Sequence, residues 1–289
     1  MAKSALLKSS IAKKYWMSLT GLFLCLFLTG HLLGNLQLLS TGEFAALHFN
    51  QYALFMTTNP AVKALSYLTY LSIVFHAIDG IWLTVQNRRA RPIGYVMNRP
   101  QKNTIWASRN MAVLGTVILV FIVTHMVSFW AVMHFDDKMP LQTTTINVDG
   151  QSQELYLTTN ESYIPKIQVE RGEIEIKDRT SFYNKAANIK VAEGYKDLYK
   201  ITVDFFKSKE KLFGVIPEQG LVVTILYVLS MVVLGFHLYH GFGSAFQSLG
   251  ANNPKYNGFI RYFGYGFAIL VPLLFAIIPV YIHFFLHTS

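Results

Sequence analysis

Nine histidines stand in this chain of 289 residues. Five of them, His31, His76, His125, His237 and His240, fall deep inside long uncharged stretches. An imidazole in such a stretch needs partners that hydrocarbon does not supply, which makes it a functional candidate. His31 lies 8 residues before Leu39 and His125 lies 10 before Phe135, near one face; His76 lies 10 from Gln86 and His237 lies 10 from Gln247, near the other. At about 1.5 Å per helical residue each pair shares a depth, and the two layers stand about 10–15 Å apart. Two imidazoles facing one another at one depth can hold a haem iron from both sides, and with both axial positions filled the chemistry is electron transfer. The sequence has no Cys-x-x-Cys-His, so the haem would be non-covalent and of b type. His240 points to a similar face as His237 and competes with it; depth favours His237, leaving His240 for a propionate or another polar group.

The elements that carry these residues are legible in composition. Hydrophobic residues make up 52% and charged residues only 14%, against about 25% charged in soluble domains, and mean hydropathy is +0.34. Disorder is excluded, and an ordinary soluble enzyme does not fit. The single cysteine, Cys25, excludes a disulfide framework and a Cys-ligated zinc or iron–sulfur site. The net charge of +9 does not indicate nucleic acid, because outside one long connection the basic residues sit in a few short loops.

Crossing the hydrocarbon takes about 20 mostly apolar residues. Five segments qualify: Tyr15 to Leu39, Ala64 to Val85 (with only Asp79), Asn110 to Phe135, Gln219 to about Gln247, and Tyr262 to Ser289. The first is too long for the apolar core of a secretion signal and no A-x-A cleavage pattern follows it, so it reads as a permanent helix. Lys3, Lys8, Lys13 and Lys14 precede it; Arg88, Arg89, Arg91, Arg99 and Lys102 follow the second span, and Lys255 and Arg261 flank the loop after the fourth. The connection from Ser40 to Pro60 has Glu43 and no basic residue, although Lys63 lies just beyond. The basic loops therefore face the cytoplasm with the N-terminus, and the C-terminus faces out.

The connection from 136 to 217 is long and mixed, with 12 Lys or Arg and 13 Asp or Glu. Its first part reads as strands at Thr144 to Val148 and Glu154 to Thr158, joined by an Asp149-Gly150 turn, then at Ile167 to Val169 and Ile174 to Ile176. Lys196 to Lys211 places Leu198, Ile201 and Phe205 on one helical face, as an amphipathic helix lying on the outer membrane surface would. The expected organisation is an all-α membrane protein with five transmembrane helices, four of them forming a haem-binding bundle. Residues 1–135 hold helices one to three, 136–217 an outer insertion that is partly β and then an amphipathic helix, and 218–289 helices four and five.

Trp16-Met17-Ser18-Leu19-Thr20-Gly21-Leu22-Phe23-Leu24 with Gly30-His31, Phe75-His76-Ala77 with Gly80, Thr124-His125, and Gly235-Phe236-His237 with Gly241 together resemble the di-haem cytochrome b anchor of succinate:quinone oxidoreductase (succinate dehydrogenase or fumarate reductase, complex II). The resemblance covers all five spans, about two-thirds of the chain. It implies a subunit of an enzyme whose succinate chemistry occurs elsewhere, in a flavoprotein subunit with an iron–sulfur subunit docked at the cytoplasmic face of a bacterial inner membrane. It further implies two haems b, with His76 and His237 holding the one nearer the iron–sulfur subunit and His31 and His125 the distal one. Menaquinone would be the usual quinone partner. The insertion, roughly Leu141 to Tyr195, departs from the family, and its role is not inherited.

For a quinone, the ends of spans one and two facing the distal haem offer Asn35, Gln37, Glu43, His48 and Asn50, since each quinone carbonyl needs a hydrogen-bond partner and a proton route. Ser18, Trp106 and Arg109 at the cytoplasmic ends could meet haem propionates, with Arg109 suited to a carboxylate. Asp79, a turn beyond His76, would pair with Arg109 or move protons. Two other functions compete: a di-haem anchor for a different membrane dehydrogenase, and a haem-free transporter with a histidine proton relay.

Overall fold

The computed structural model describes residues 9–93, 99, 102, 104–148, 150–212 and 214–287; Lys3, Lys8 and Asp149 lie outside them. Among the described residues five helices are long and apolar enough to cross a membrane: Ile11–Leu39, Pro60–Arg89, Met111–Phe135, Gln219–Ser248 and Pro254–Phe284. The chain is a mostly helical, multi-pass membrane protein. Large apolar side chains such as Leu26, at 70% exposure, stand outward from these helices, a surface suited to lipid rather than water.

Local sequence explains where the spans begin and end. Span one continues a helix, α1 (Ser10–Asn35), whose Ser9 side chain caps it by accepting from the Ala12 N–H. Spans two and five, α3 (Pro60–Arg89) and α7 (Pro254–Phe284), each open on proline, which lacks the N–H that would be orphaned there. Arg88 and Arg89 close α3, where cations complement the negative end of the helix dipole. Span three is α4 (Met111–His125), continued by a wider π turn, Met126–Ala131, and a last turn, Val132–Phe135. Span four is α6 (Gln219–Ser248).

The chain forms two compact units. The first comprises Met1–Leu36, Pro60–Val123 and Val222–Tyr281. In it α1 and α3 pack side by side, and α6 meets α4 through Phe121 and Tyr227, rings 4.9 Å apart. Between α6 and α7 the approach is closer. A Cβ on Gly235 would lie 3.1 Å from the Ala268 carbonyl oxygen. That carbonyl lacks its usual helical donor, because the residue four further on is Pro272. A small residue facing a backbone is the usual means of tight packing between membrane helices.

The second unit comprises Gln37–Asn59, Thr124–Leu221 and Ile282–Ser289. The segment 40–60, read as a connection from sequence, contains a helix, α2 (Ala45–Thr58), that buries Ala45, Phe49 and Ala53 at four-residue spacing. The insertion folds into two antiparallel three-stranded sheets. One orders β1 (Thr143–Val148), β2 (Gln151–Leu157) and β3 (Tyr163–Pro165); the other orders β4 (Ile174–Lys177), β5 (Ser181–Asn184) and β6 (Ile189–Glu193). Alternation sends Ile174 and Ile176 toward a core of Leu141, Ile164, Phe182 and Ala192, while Glu175 and Lys177 pair outside. Ile167 to Val169, expected as strand, is instead a helical turn, Lys166–Glu170. Pro165 precedes the turn and Gly172, at φ +74°, follows it, which are start and stop signals for a helix.

The amphipathic helix, α5 (Leu198–Lys207), is capped by Asp197, whose side chain accepts from the Lys200 N–H. Its apolar face packs in part on protein: Leu198 and Ile201, both half-buried, lie against Ala53, Met133 and Met139.

Glu193 on β6 accepts from Thr180, Ser181 and Lys190. Burial alone would raise its pKa, but these bonds together hold it below its ordinary value of 4.5. A lowered carboxylate pKa stabilises the fold above the ordinary value, and the contribution is lost as pH falls through the folded value. Hydrogen exchange across residues 174–193 should therefore accelerate as pH drops from about 5 toward 3 beyond the intrinsic pH effect. Glu193→Gln should remove most of that extra dependence.

Candidate functional site

Within the first unit the structure brings together His76 of α3 and His237 of α6, their ring centres 6.2 Å apart and their planes at 69°. His76 Nδ1 lies 3.2 Å from the Met17 carbonyl oxygen and 3.3 Å from Thr20 Oγ1. A carbonyl only accepts, so the proton resides on Nδ1. The Thr20 hydroxyl donates to Trp16 O at 2.9 Å and Met17 O at 3.1 Å, which leaves its lone pairs facing the imidazole. Nε2 of His76 is then the unprotonated nitrogen. Carbonyl-anchored Nδ1–H with a basic Nε2 is how ligating histidines are usually held.

Glycine makes this arrangement possible. A Cβ on Gly21 would stand 3.1 Å from His76 Cε1, tighter than ordinary contact, and one on Gly115 would stand 3.7 Å from His237 Cε1. His237 Nδ1 is buried and has no hydrogen-bond partner among the described residues. Leaving such a nitrogen unpartnered costs about 1–3 kcal/mol, so it marks a position built for something other than packing.

Other expected residues surround or leave this pair. Ser18 is buried and donates to the Lys14 carbonyl at 2.8 Å. Trp106 packs edge-on against Phe236 at 5.4 Å, beside His237 in sequence. Arg109 turns its guanidinium to the Thr104 carbonyl. Asp79 has Lys13 and His76 as charged neighbours, and Lys13 Nζ sits 4.1 Å over the Trp82 ring. His240 is half-buried on α6.

His31, in the first unit, stacks on Phe27 at 5.4 Å and meets Phe275 at 5.7 Å. Asn35 donates its amide to the His31 carbonyl at 2.8 Å. His125 belongs to the second unit, with Phe129 at 5.2 Å. Glu43 and His48, also in the second unit, are exposed, and His48 lies beside Phe44. Asn50 proves to be a structural residue. It is 1% exposed; its amide donates to Gln142 at 3.1 Å and Asp197 at 2.9 Å, and its oxygen accepts from the Tyr199 N–H at 3.0 Å. Its hydrogen-bonding groups are turned to α5 and the insertion rather than to a quinone.

Sequence reasoning missed the Met17 carbonyl, Thr20, Gly115 and Phe275 as neighbours of the histidines. Thr20 and Gly21 stand in the segment that carries the family likeness, but a backbone carbonyl accepting from a distant side chain leaves no mark in sequence. Comparisons of the chain with family models, with curated proteins and with solved structures return no match.

Asn50→Leu should destabilise the second unit by about 1–3 kcal/mol, because the buried Asp197 carboxylate and Tyr199 N–H lose a partner. Thermal unfolding of the purified chain in detergent, followed by proteolysis of the insertion, would measure it.

Proposed function

We propose that this chain is the membrane-anchor cytochrome b subunit of a succinate:quinone oxidoreductase, passing electrons from an iron–sulfur subunit through two bis-histidine haems b to a quinone of the menaquinone type. The observation that carries the reading is the His76–His237 pair. Two metal–imidazole bonds of about 2 Å, with about 1 Å more from each nitrogen to its ring centre, put the two ring centres about 6 Å apart; the observed separation is 6.2 Å. His76 and His237 would hold the haem nearer the iron–sulfur subunit. A haem with imidazole on both faces supplies one-electron transfer and offers no position to dioxygen.

The chain's own residues do the positioning. The Met17 carbonyl keeps the His76 proton on Nδ1 and so keeps Nε2 basic. Gly21 leaves the space that the His76 ring occupies. Ser18, Trp106, Arg109 and His240 are the residues proposed to meet the propionates. His31 and His125 are proposed as the second ligand pair on helix depth and family likeness. Asn35, Glu43 and His48 are proposed to serve the quinone. The flavoprotein and iron–sulfur partners and a bacterial inner membrane follow from the same likeness, and the positive-inside bias supports a cytoplasmic N-terminus.

A reduced-minus-oxidised spectrum with haem extraction on the purified chain tests this. Two haems b per chain are expected, with His76→Ala and His237→Ala each losing the same one and His31→Ala and His125→Ala the other. A co-purifying subunit with covalent flavin would distinguish this enzyme from other di-haem dehydrogenases. A folded chain without haem would overturn the proposal and leave a histidine proton relay. Gly21→Leu should cost the His76-dependent haem and spare the other, because the new side chain occupies the imidazole's place.

A further inference from the structure

The insertion at 136–217 is the part of the chain that the proposed function leaves without a task, and its contacts converge on the end of span three. The carbonyls of Met133 and His134 belong to the last turn of that helix, where no helical donor follows. Lys196 Nζ takes the Met133 carbonyl, and Arg179 takes the His134 carbonyl while its Nε pairs with Asp137 at 3.0 Å. Arg179 reaches this point from the β4–β5 turn, where it and Asp178 both adopt positive φ, 68° and 51°. Two cations on the carbonyl end of a helix also complement its dipole.

A second line of contact runs inward from α5. Phe205 packs edge-on against Phe129 at 5.1 Å, Phe206 lies 6.4 Å from the same ring, and Phe129 lies 5.2 Å from the His125 imidazole. Phe206 is itself anchored. Its carbonyl accepts from His283 Nδ1 at 2.6 Å, and Gly220 passes so close that a Cβ there would be 2.4 Å from that oxygen. Phe129 itself belongs to the π turn, Met126–Ala131, which begins at the residue after His125. A π turn inside a helix is uncommon and holds only where surrounding contacts favour it.

We infer that the insertion is a positioning element for His125: Arg179 and Lys196 hold the end of span three, and Phe205 backs the imidazole through Phe129. The inference rests on the reading of His125 as a haem ligand. The insertion's residues are all positioning residues: Phe205 acts one contact removed from His125, through Phe129, and Arg179 and Lys196 act through the last turn of the span. The unusual length of the insertion then has a mechanical purpose, which is to hold one helix end and one ring.

The test uses the full chain purified with its haems. In Phe205→Ala and Phe129→Ala, two haems should remain, with the low-spin EPR signal and midpoint potential shifted for the haem lost in His125→Ala and unchanged for the haem lost in His76→Ala. Phe205→Leu, which keeps a bulky apolar contact, should restore most of the wild-type signal. In Arg179→Ala/Lys196→Ala, hydrogen exchange at residues 126–135 should rise about tenfold or more, as expected for losing bonds from charged donors. Two unperturbed haems with unchanged exchange would overturn this inference and leave the proposed function standing. Equal perturbation of both haems would overturn it too, since the effect would then be general. A wild-type chain without haem would overturn the proposed function and, with it, the assignment of His125.

Discussion

An imidazole nitrogen buried without a partner is costly, and for His76 the partner is the backbone carbonyl of Met17. The bond fixes a tautomer, and the tautomer decides which nitrogen presents a lone pair. It also ties α3 to α1 at a point where both are otherwise apolar surfaces with little to choose between registers. Packing in a membrane has no hydrophobic driving force to select one register over another, so a polar bond between spans contributes specificity beyond its modest energy. Gly21, one helical turn beyond Met17, suits it, since a side chain there would crowd the ring at 3.1 Å.

The spans and their histidines were legible because hydropathy and the helical rise are strong one-dimensional signals. Counting residues brought His76 and His237 to one depth, and the structure brings their rings together edge-on, 6.2 Å apart. What sequence did not disclose is two-dimensional. Thr20 reads as an ordinary polar residue near a helix start, and its place beside His76 depends on how two helices lie together. Asn50 reads from sequence as a polar group for a quinone because the segment around it reads as a connection; α2 instead buries it against the insertion. Ile167 to Val169 shows the opposite error, with three β-formers overruled by the flanking Pro165 and Gly172. In the insertion, β5 and β6 escaped notice because Ser181–Asn184 and Ile189–Glu193 are short and mix polar with apolar residues on both faces, with Ser181 buried and Ile189 and Val191 exposed. The boundaries moved as well: the helix of span one begins in the basic segment, so that Lys13 lies over Trp82 rather than trailing in a loop.

The second unit solves a different problem from the first. Its sheets are small, and the two share one apolar cluster around Phe182, while α2, α5 and the end of span three share another around Ala53 and Met133. Polar bonds then set the geometry among them. Asn50 alone joins three segments distant in sequence, and Asp197 serves both as helix cap and as acceptor for that asparagine.

The close approach of Gly235 to the Ala268 carbonyl has a consequence for how this chain can change over time. Pro272 strips that carbonyl of its helical donor and the absence of a side chain at 235 lets α6 cover it. A methyl group at 235 would press on an oxygen held 3.1 Å away, whereas replacing Pro272 would restore a helical donor to that oxygen without moving it. The glycine is thus fixed by the backbone of α7 rather than by any one side chain, and exchange of Pro272 alone would not release it.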